Sequence, residues 1–371
     1  TVPADNAADV SATGRIVVNF DEKVQVNEGT MATLGDQTIA PVVSGRVLTF
    51  NYMGFDYNTA YTFTLPANTV SDLAGNTLTE AVTLSFTTVA PPTVQAGMYD
   101  VEVTDAAELL TALATADGET RFRIFLHEGT YDLGEACLTN VKSNISLIGE
   151  NMENTVIVNK APTEGIGVSA TLLLTGSNIY MQDLTIKNAY DYIGTTGRAV
   201  CIQDKGDKNI FKNVRMLSYQ DTYYTNNSKM RAYHENTEIH GTVDFICGGG
   251  DVFFNQSTLY LEERSSANCI TAPNGDTDWG YVFSDCVIDG HEVNNGQYNL
   301  GRPWNGTPRC VWLNTTMKVI PSAAGWTSMQ VLPELFAEYN SVTESGNVID
   351  LSGRTTTFTG DGESVTAAYN P

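Results

Sequence analysis

The stretches "NIYMQDLTI" (residues 178–186) and "NIFKNVRML" (residues 209–217) are built alike: an apolar-rich run of strand character with an Asp or Asn in its middle. The same run returns as "AYHENTEI" (232–239), "VFFNQSTL" (252–259), "YVFSDCVI" (281–288) and "CVWLNTTM" (310–317). With Asp183, Asn213, Asn236, Asn255, Asp285 and Asn314 as markers, the spacings are 30, 23, 19, 30 and 29 residues. A strand repeat of that period, with no helices between, means a β-solenoid. No single coil can bury its own apolar face, so each stacks on the last, parallel and in register. Coils of unequal length suit a parallel β-helix, whose loops project on one side and build a cleft.

Upstream, "VTDAAELLTALATAD" (103–117) spaces its apolar residues as one amphipathic helix capped by Thr104 or Asp105, placed to close the open end of the solenoid. Before it, "TVAPPTVQAG" (88–97) reads as a linker, because consecutive prolines cannot join a central strand. The first 89 residues alternate apolar and polar in "RIVVNFDEKVQV", "RVLTFNYM", "AYTFTLP" and "AVTLSFTT", the pattern of an antiparallel β-sandwich. Two of its stretches, "VPADNAADVSATGRIVVNFDEKV" and "NTVSDLAGNTLTEAVTLSFTT", resemble bacterial Ig-like domains. The expected organisation is all-β: an Ig-like β-sandwich over 1–89, a linker over 90–97 and a parallel β-helix over 98–371.

Net charge is −23, and no cluster of Lys and Arg offers the basic face that phosphates require, which argues against a nucleic-acid partner. No run approaches the roughly 20 apolar residues of a membrane span. The start, "TVPADNAADV", has no charged segment followed by an apolar one, so any signal peptide is expected to have been removed or left out. The six cysteines contain no CxxC pair, and with the four histidines they give no metal-ligand spacing. Cys269, Cys286 and Cys310 sit in β-like runs and read as small buried thiols.

Chemistry concentrates in the middle coils. Asp221 in "YQDTYYTNN" and Asp244 in "GTVDFICGGG" are 23 residues apart, about one coil. One coil displaces a residue by about 4.8 Å, so both side chains can emerge from neighbouring rungs of one sheet. Stacked carboxylates repel and tend to hold a proton between them, which lets one act as acid while the other stays ionised. Spacing alone equally allows two polar turn residues facing water.

"YQDTYY", "GTVDFICGG", "ITAPN…GYVFSDCVI" and "YNLGRPWNGTPRCVWLNT" resemble, in order, the signature segments of the pectin methylesterases. "ISLIGE" and "TVIVN" are similar to that family's early coils, and the likeness covers roughly residues 94–339. The resemblance implies a right-handed parallel β-helix that hydrolyses the C6 methyl esters of homogalacturonan to pectate and methanol. It implies Asp244 as nucleophile, Asp221 as general acid/base, Gln220 as oxyanion donor and Arg302 as the cation that orients Asp244. It places Trp304, Tyr224, Thr307 and Trp326 along the sugar cleft. No cofactor or metal is implied, the polysaccharide is the expected partner, and the chain is expected to work as a monomer that is secreted, periplasmic or held at the cell surface.

Three departures bear on substrate choice. Arg198 in "GRAVCI" stands where the family usually has a glutamine, a second oxyanion donor. It is expected to face the substrate; the alternative is a structural pair with Asp191 or Asp204. Cys247 replaces the aromatic that commonly follows "DFI" and would remove one wall of a sugar subsite. The connection "TNNSKMRAYHEN" (225–236) is slightly longer than usual. Two other functions stay open: an esterase or thioesterase of the same fold, and a solenoid that binds pectin without cleaving it. Tyr223 and Trp279 read at least as well as packing residues, and His234 and His240 as coil-surface residues.

Overall fold

The computed structural model describes residues 1–355 apart from 28, 53–54, 91–96, 191–196, 265 and 330. The Pro91–Pro92 linker and Asp191 therefore lie outside the described residues. The chain divides into two compact units: Thr1–Gln95 with the short segments Asn314–Met317 and Asn340–Ile349, and the remainder from Ala96.

The first unit has the expected sandwich. Gly14–Asn19, Val47–Tyr52 and Val42–Ser44 form one antiparallel sheet, while Val82–Thr88, Ala60–Leu65 and Ala32–Leu34 form the middle of another. Alternation along these strands sends Ile16, Val18, Leu48, Phe50, Phe63, Leu65, Leu84 and Phe86 into one core. One detail differs from the sequence reading. Ala7–Val10 pairs parallel to Val82–Thr88, so the sandwich is not purely antiparallel.

In the second unit, the helix Ala106–Thr115 starts at the Asp105 cap, whose carboxylate accepts from Glu108 N at 2.9 Å. Glu108 reaches back to Thr104 N at 2.8 Å, so two otherwise orphaned donors are satisfied. Parallel coils follow. Each contributes to a 17-stranded sheet, and the middle coils also to a seven-stranded sheet running from Thr139–Val141 to Tyr298–Gly301.

The repeated Asn and Asp residues have a definite task. Asp183, Asn213, Asn236, Asp285 and Asn314 all take φ between +51° and +55°, a left-handed bend that short amide and carboxyl side chains tolerate best. Their side chains also link coil to coil. Asn213 Nδ2 donates to Asp183 Oδ1 at 2.5 Å, and Asn236 Nδ2 to Asn213 Oδ1 at 3.0 Å. One marker is displaced: the bend in "VFFNQSTL" falls on Gln256 (φ +51°), not Asn255. The sequence points to the asparagine because a glutamine is the less usual left-handed residue.

Inside the solenoid, rings stack once per coil. Phe211, His234, Phe254, Phe283 and Trp312 follow one another with centroid separations of 4.5, 4.5, 4.5 and 3.9 Å. His234 is thus a core residue rather than the expected surface one, and burial pushes its pKa down to about 3. It behaves as a neutral flat ring with aromatic neighbours on both faces.

Candidate active site

An ordinary strand running through Val243, Asp244 and Phe245 would alternate faces, and the carboxylate would sit in an apolar wall. Here the backbone breaks that rule. Asp244 takes φ +51°, and the pairing of Val243–Gly248 with Asn268–Pro273 shifts register between Val243 and Ile246. Such a bulge re-aims one side chain without moving the strand. Val243 and Phe245 are buried. The bend needs Gly241, where an added Cβ would lie 2.1 Å from Phe245 Cβ and 2.6 Å from Tyr219 O.

Asp221 (φ +61°) is the register neighbour of Asp244, since Tyr223 pairs with Ile246 and Tyr224 with Cys247 in parallel. The expected stacking of the two aspartates on adjacent coils therefore holds. Arg302 follows the strand Tyr298–Gly301 and reaches back across the coil of Asn268–Pro273. Its Nε donates to Asp244 Oδ1 at 2.8 Å and its Nη2 to Oδ2 at 2.5 Å, a bidentate fork. The Asp244 side chain is only 8% exposed, so without this partner its charge would be costly.

The two carboxyl groups differ because their surroundings differ. Burial, then the neighbouring Asp244, push Asp221 up to about 8. Burial also raises Asp244, but hydrogen bonds and charge from Arg302 oppose it, with Arg264 a second cation acting in the same sense. Both carboxyls are thus raised, Asp221 far enough to hold a proton at neutral pH, while Arg302 limits the rise at Asp244. The sulfurs of Cys247 and Cys269 border the same carboxyls, and both thiols are pushed well up by burial and by the aspartates.

Gln220 is half-buried and forms a parallel bridge with Arg198 on the preceding coil. The Arg198 guanidinium is gripped by Glu164, with Nε to Oε2 at 2.7 Å and Nη2 to Oε1 at 2.8 Å. Asp204, one expected structural partner, is instead fully buried and accepts from Gly206 N, Asn209 Nδ2 and Tyr223 Oη. Tyr224 and Trp304 are half-buried, with ring centroids 6.4 Å apart, and form an aromatic wall. Beside Tyr224 lies a polar hollow of about 140 Å³ lined by Asn226, Asn227, Ser228, Asn274 and Gly275, which sequence reasoning did not identify.

Three expected substrate contacts need correction or narrowing. Cys247 is 1% exposed and borders Asp221, so its own side chain has little surface to offer a sugar. Trp326 is 4% exposed, bridges Gly301 through the backbone and packs on Phe336 at 4.8 Å, which leaves its ring little to offer a sugar. Thr307 is exposed, but its N–H and hydroxyl both engage Asp276 Oδ1, at 2.9 and 2.7 Å, so it fixes a loop. Tyr223 is core, with its hydroxyl 3.1 Å from Asp204 Oδ2. Sequence reasoning missed Glu164, Cys269 and Arg264 as neighbours of the site. No local signal marks Glu164, which lies in an irregular stretch between strands and meets Arg198 only through stacking.

Comparison with known proteins bears on the family and the fold. Residues 96–360 match the pectinesterase family and residues 1–88 a bacterial Ig-like domain. Over 254 residues the chain is 30% identical to a probable pectinesterase/pectinesterase inhibitor of Arabidopsis thaliana, covering 62% of this chain and 44% of that protein. Over 229 residues it is 28% identical to pectinesterase 2 of Citrus sinensis, covering 58% and 43%. The chain thus spans less than half the length of these curated relatives. Among solved structures, carrot pectin methylesterase superposes with a TM-score of 0.62 at 24% identity, over 74% of this chain and 92% of that one. The pectin methylesterase of Yersinia enterocolitica gives 0.57 at 27% identity, over 70% and 96%. With the family's pattern matched across more than half its length, this chain belongs to the pectinesterase family.

Proposed function

We propose that this chain is a pectin methylesterase, secreted or held at the cell surface, that hydrolyses the C6 methyl esters of homogalacturonan. One observation carries the reading: Asp244, held in the two-bond fork of Arg302, stacks one coil from Asp221, whose carboxyl is pushed up to about 8. That is the asymmetry that nucleophile and general acid require.

In the mechanism this supports, Asp244 attacks the ester carbonyl carbon, and the carbonyl oxygen becomes an oxyanion beside the Gln220 amide. As the tetrahedral intermediate collapses, the C–O bond to the methoxy group breaks. Asp221 gives its proton to the departing oxygen, and methanol leaves. The acyl-enzyme is an anhydride of Asp244. Asp221, now ionised, takes a proton from water, and the hydroxide attacks the substrate carbonyl. The bond from the acyl carbon to the Asp244 oxygen breaks, Asp244 leaves as a carboxylate, and the galacturonic acid formed gives its remaining proton to solvent, so both aspartates return to their starting states. Tyr224 and Trp304 offer flat faces to the pyranose rings. The inputs are ester and water only, and each proton is accounted for.

Methanol release from highly methylated pectin, run beside aryl esters and thioesters, tests the reading. Turnover of pectin that disappears in Asp244→Asn supports it, and preferential turnover of a thioester would replace it.

A further inference from the structure

Arg198 stands on the coil before Gln220 and Asp221, at the edge of the chemistry, yet its charge is already matched. Glu164 takes Nε and Nη2 in a parallel, two-bond fork at 2.7 and 2.8 Å, leaving Nη1 outside the pair. The backbone fixes both residues. Gly165 N and Ser169 Oγ donate to Arg198 O at 2.8 and 3.1 Å, and Ala199 N donates to Gln220 O at 3.0 Å. The pair is therefore placed on the Gln220 side of the site rather than adrift on the surface. The side chains are 45% and 38% exposed, and an exposed ion pair adds little to stability, so a purely structural purpose accounts for little of this arrangement.

The pair also acts electrically on the site. Arg198 and Glu164 act on Asp221 in opposite senses, the arginine favouring its ionised form and the glutamate opposing it. An unpaired guanidinium there would attract a galacturonate unit that has already lost its methyl ester. The fork cancels most of that attraction while holding the arginine in place.

We propose that Glu164 is a specificity-determining residue, whose fork on Arg198 neutralises the cation beside Gln220 and so sets how strongly the site favours de-esterified over methylated neighbouring galacturonates. The proposal rests on the pectin methylesterase reading. It makes the two residues a matched switch: removing the glutamate exposes a positive charge, and removing the arginine exposes a negative one.

The test compares kcat/KM for methanol release from fully methylated and partly de-esterified oligogalacturonates of equal length. The proteins are the unmodified chain, Glu164→Gln, Arg198→Gln and the double variant. Glu164→Gln is expected to raise the ratio of de-esterified to methylated substrate about five-fold, the factor given by a unit charge a few ångströms away in a mostly aqueous setting. Arg198→Gln should lower it by a similar factor, and the double variant should return within about two-fold of the unmodified chain. Both shifts should shrink as salt rises. A structural pair would change overall activity and leave the ratio alone, and an unchanged ratio in Glu164→Gln overturns the proposal. If the unmodified chain releases methanol from neither substrate, the functional reading itself fails. Calorimetric binding of the same two oligosaccharides then decides the proposal separately: a five-fold shift in Kd ratio upholds it, and an unshifted ratio or no binding overturns it.

Discussion

Replacing Arg302 by glutamine removes both charge-assisted bonds from a carboxylate that is 8% exposed, and the consequence for pH dependence can be worked out. Two unit charges about 4 Å apart at an effective dielectric of about 20 interact by about 4 kcal/mol, or about three pH units. Arg302 is itself 29% exposed, so water screens part of this, and about half is the reasonable share. The acid limb of kcat/KM should therefore move up by about 1.5 units, because Asp244 must lose its proton to attack. At the optimum, losing the orientation that two such bonds supply should cost about 100-fold in turnover. Arg302→Lys keeps a cation but not the planar fork, and should show a smaller shift with much of the loss in turnover. The assay is methanol release from about pH 4 to about pH 9, with melting temperature followed in parallel to separate a charge effect from unfolding. An acid limb left in place in a folded Arg302→Gln variant would refute the assignment of Arg302 as the group that keeps Asp244 ionised.

Asp221→Asn should retain the fold, lose nearly all turnover, and remove the alkaline limb that the unmodified protein is expected to show near pH 8, where its proton donor ionises; methanol release across pH checks both. Gly241→Ala should destabilise the solenoid by about 3 kcal/mol, because the new Cβ meets Phe245 Cβ and Tyr219 O with no flexible atom to give way, and urea unfolding midpoints would report it. Burial alone would lower the pKa of His240, but its bonds to Glu262 at 2.7 Å and Glu238 at 2.6 Å outweigh this and raise it. Its contribution to stability is thus full below the unfolded value of about 6.5 and is lost as pH rises through the higher folded value. His240→Gln should flatten that decline, read as melting temperature against pH.

Much of the solenoid was legible because one physical requirement repeats. Every coil must bend at the same place, short Asn and Asp side chains bend most easily, and their spacing counts the coils. Where a glutamine does the bending, at Gln256, the count slipped by one residue. His234 was misread for a related reason. Periodicity marks which positions face inward, but an imidazole is ordinarily excluded from a core, and only the stacked Phe211 and Phe254 make it acceptable there.

The site was legible in proportion to how far apart in the chain its members lie. Asp221 and Asp244 differ by a single coil, so a count of residues is enough to put them on adjacent rungs. Arg302 meets Asp244 across 58 residues, and unequal coils make such a distance unreadable from spacing; only the likeness of "LGRPW" to a family segment named it. Glu164 and Arg198, 34 residues apart, had neither aid, because Glu164 belongs to no motif and the acidic partners nearest in sequence drew attention instead. In a stacked-coil enzyme the catalytic strands carry patterns that chemistry and folding both constrain. Glu164 and Arg198 lie outside the regular strands, in an irregular stretch and an isolated bridge, and their pairing becomes visible only once the coils are laid on one another.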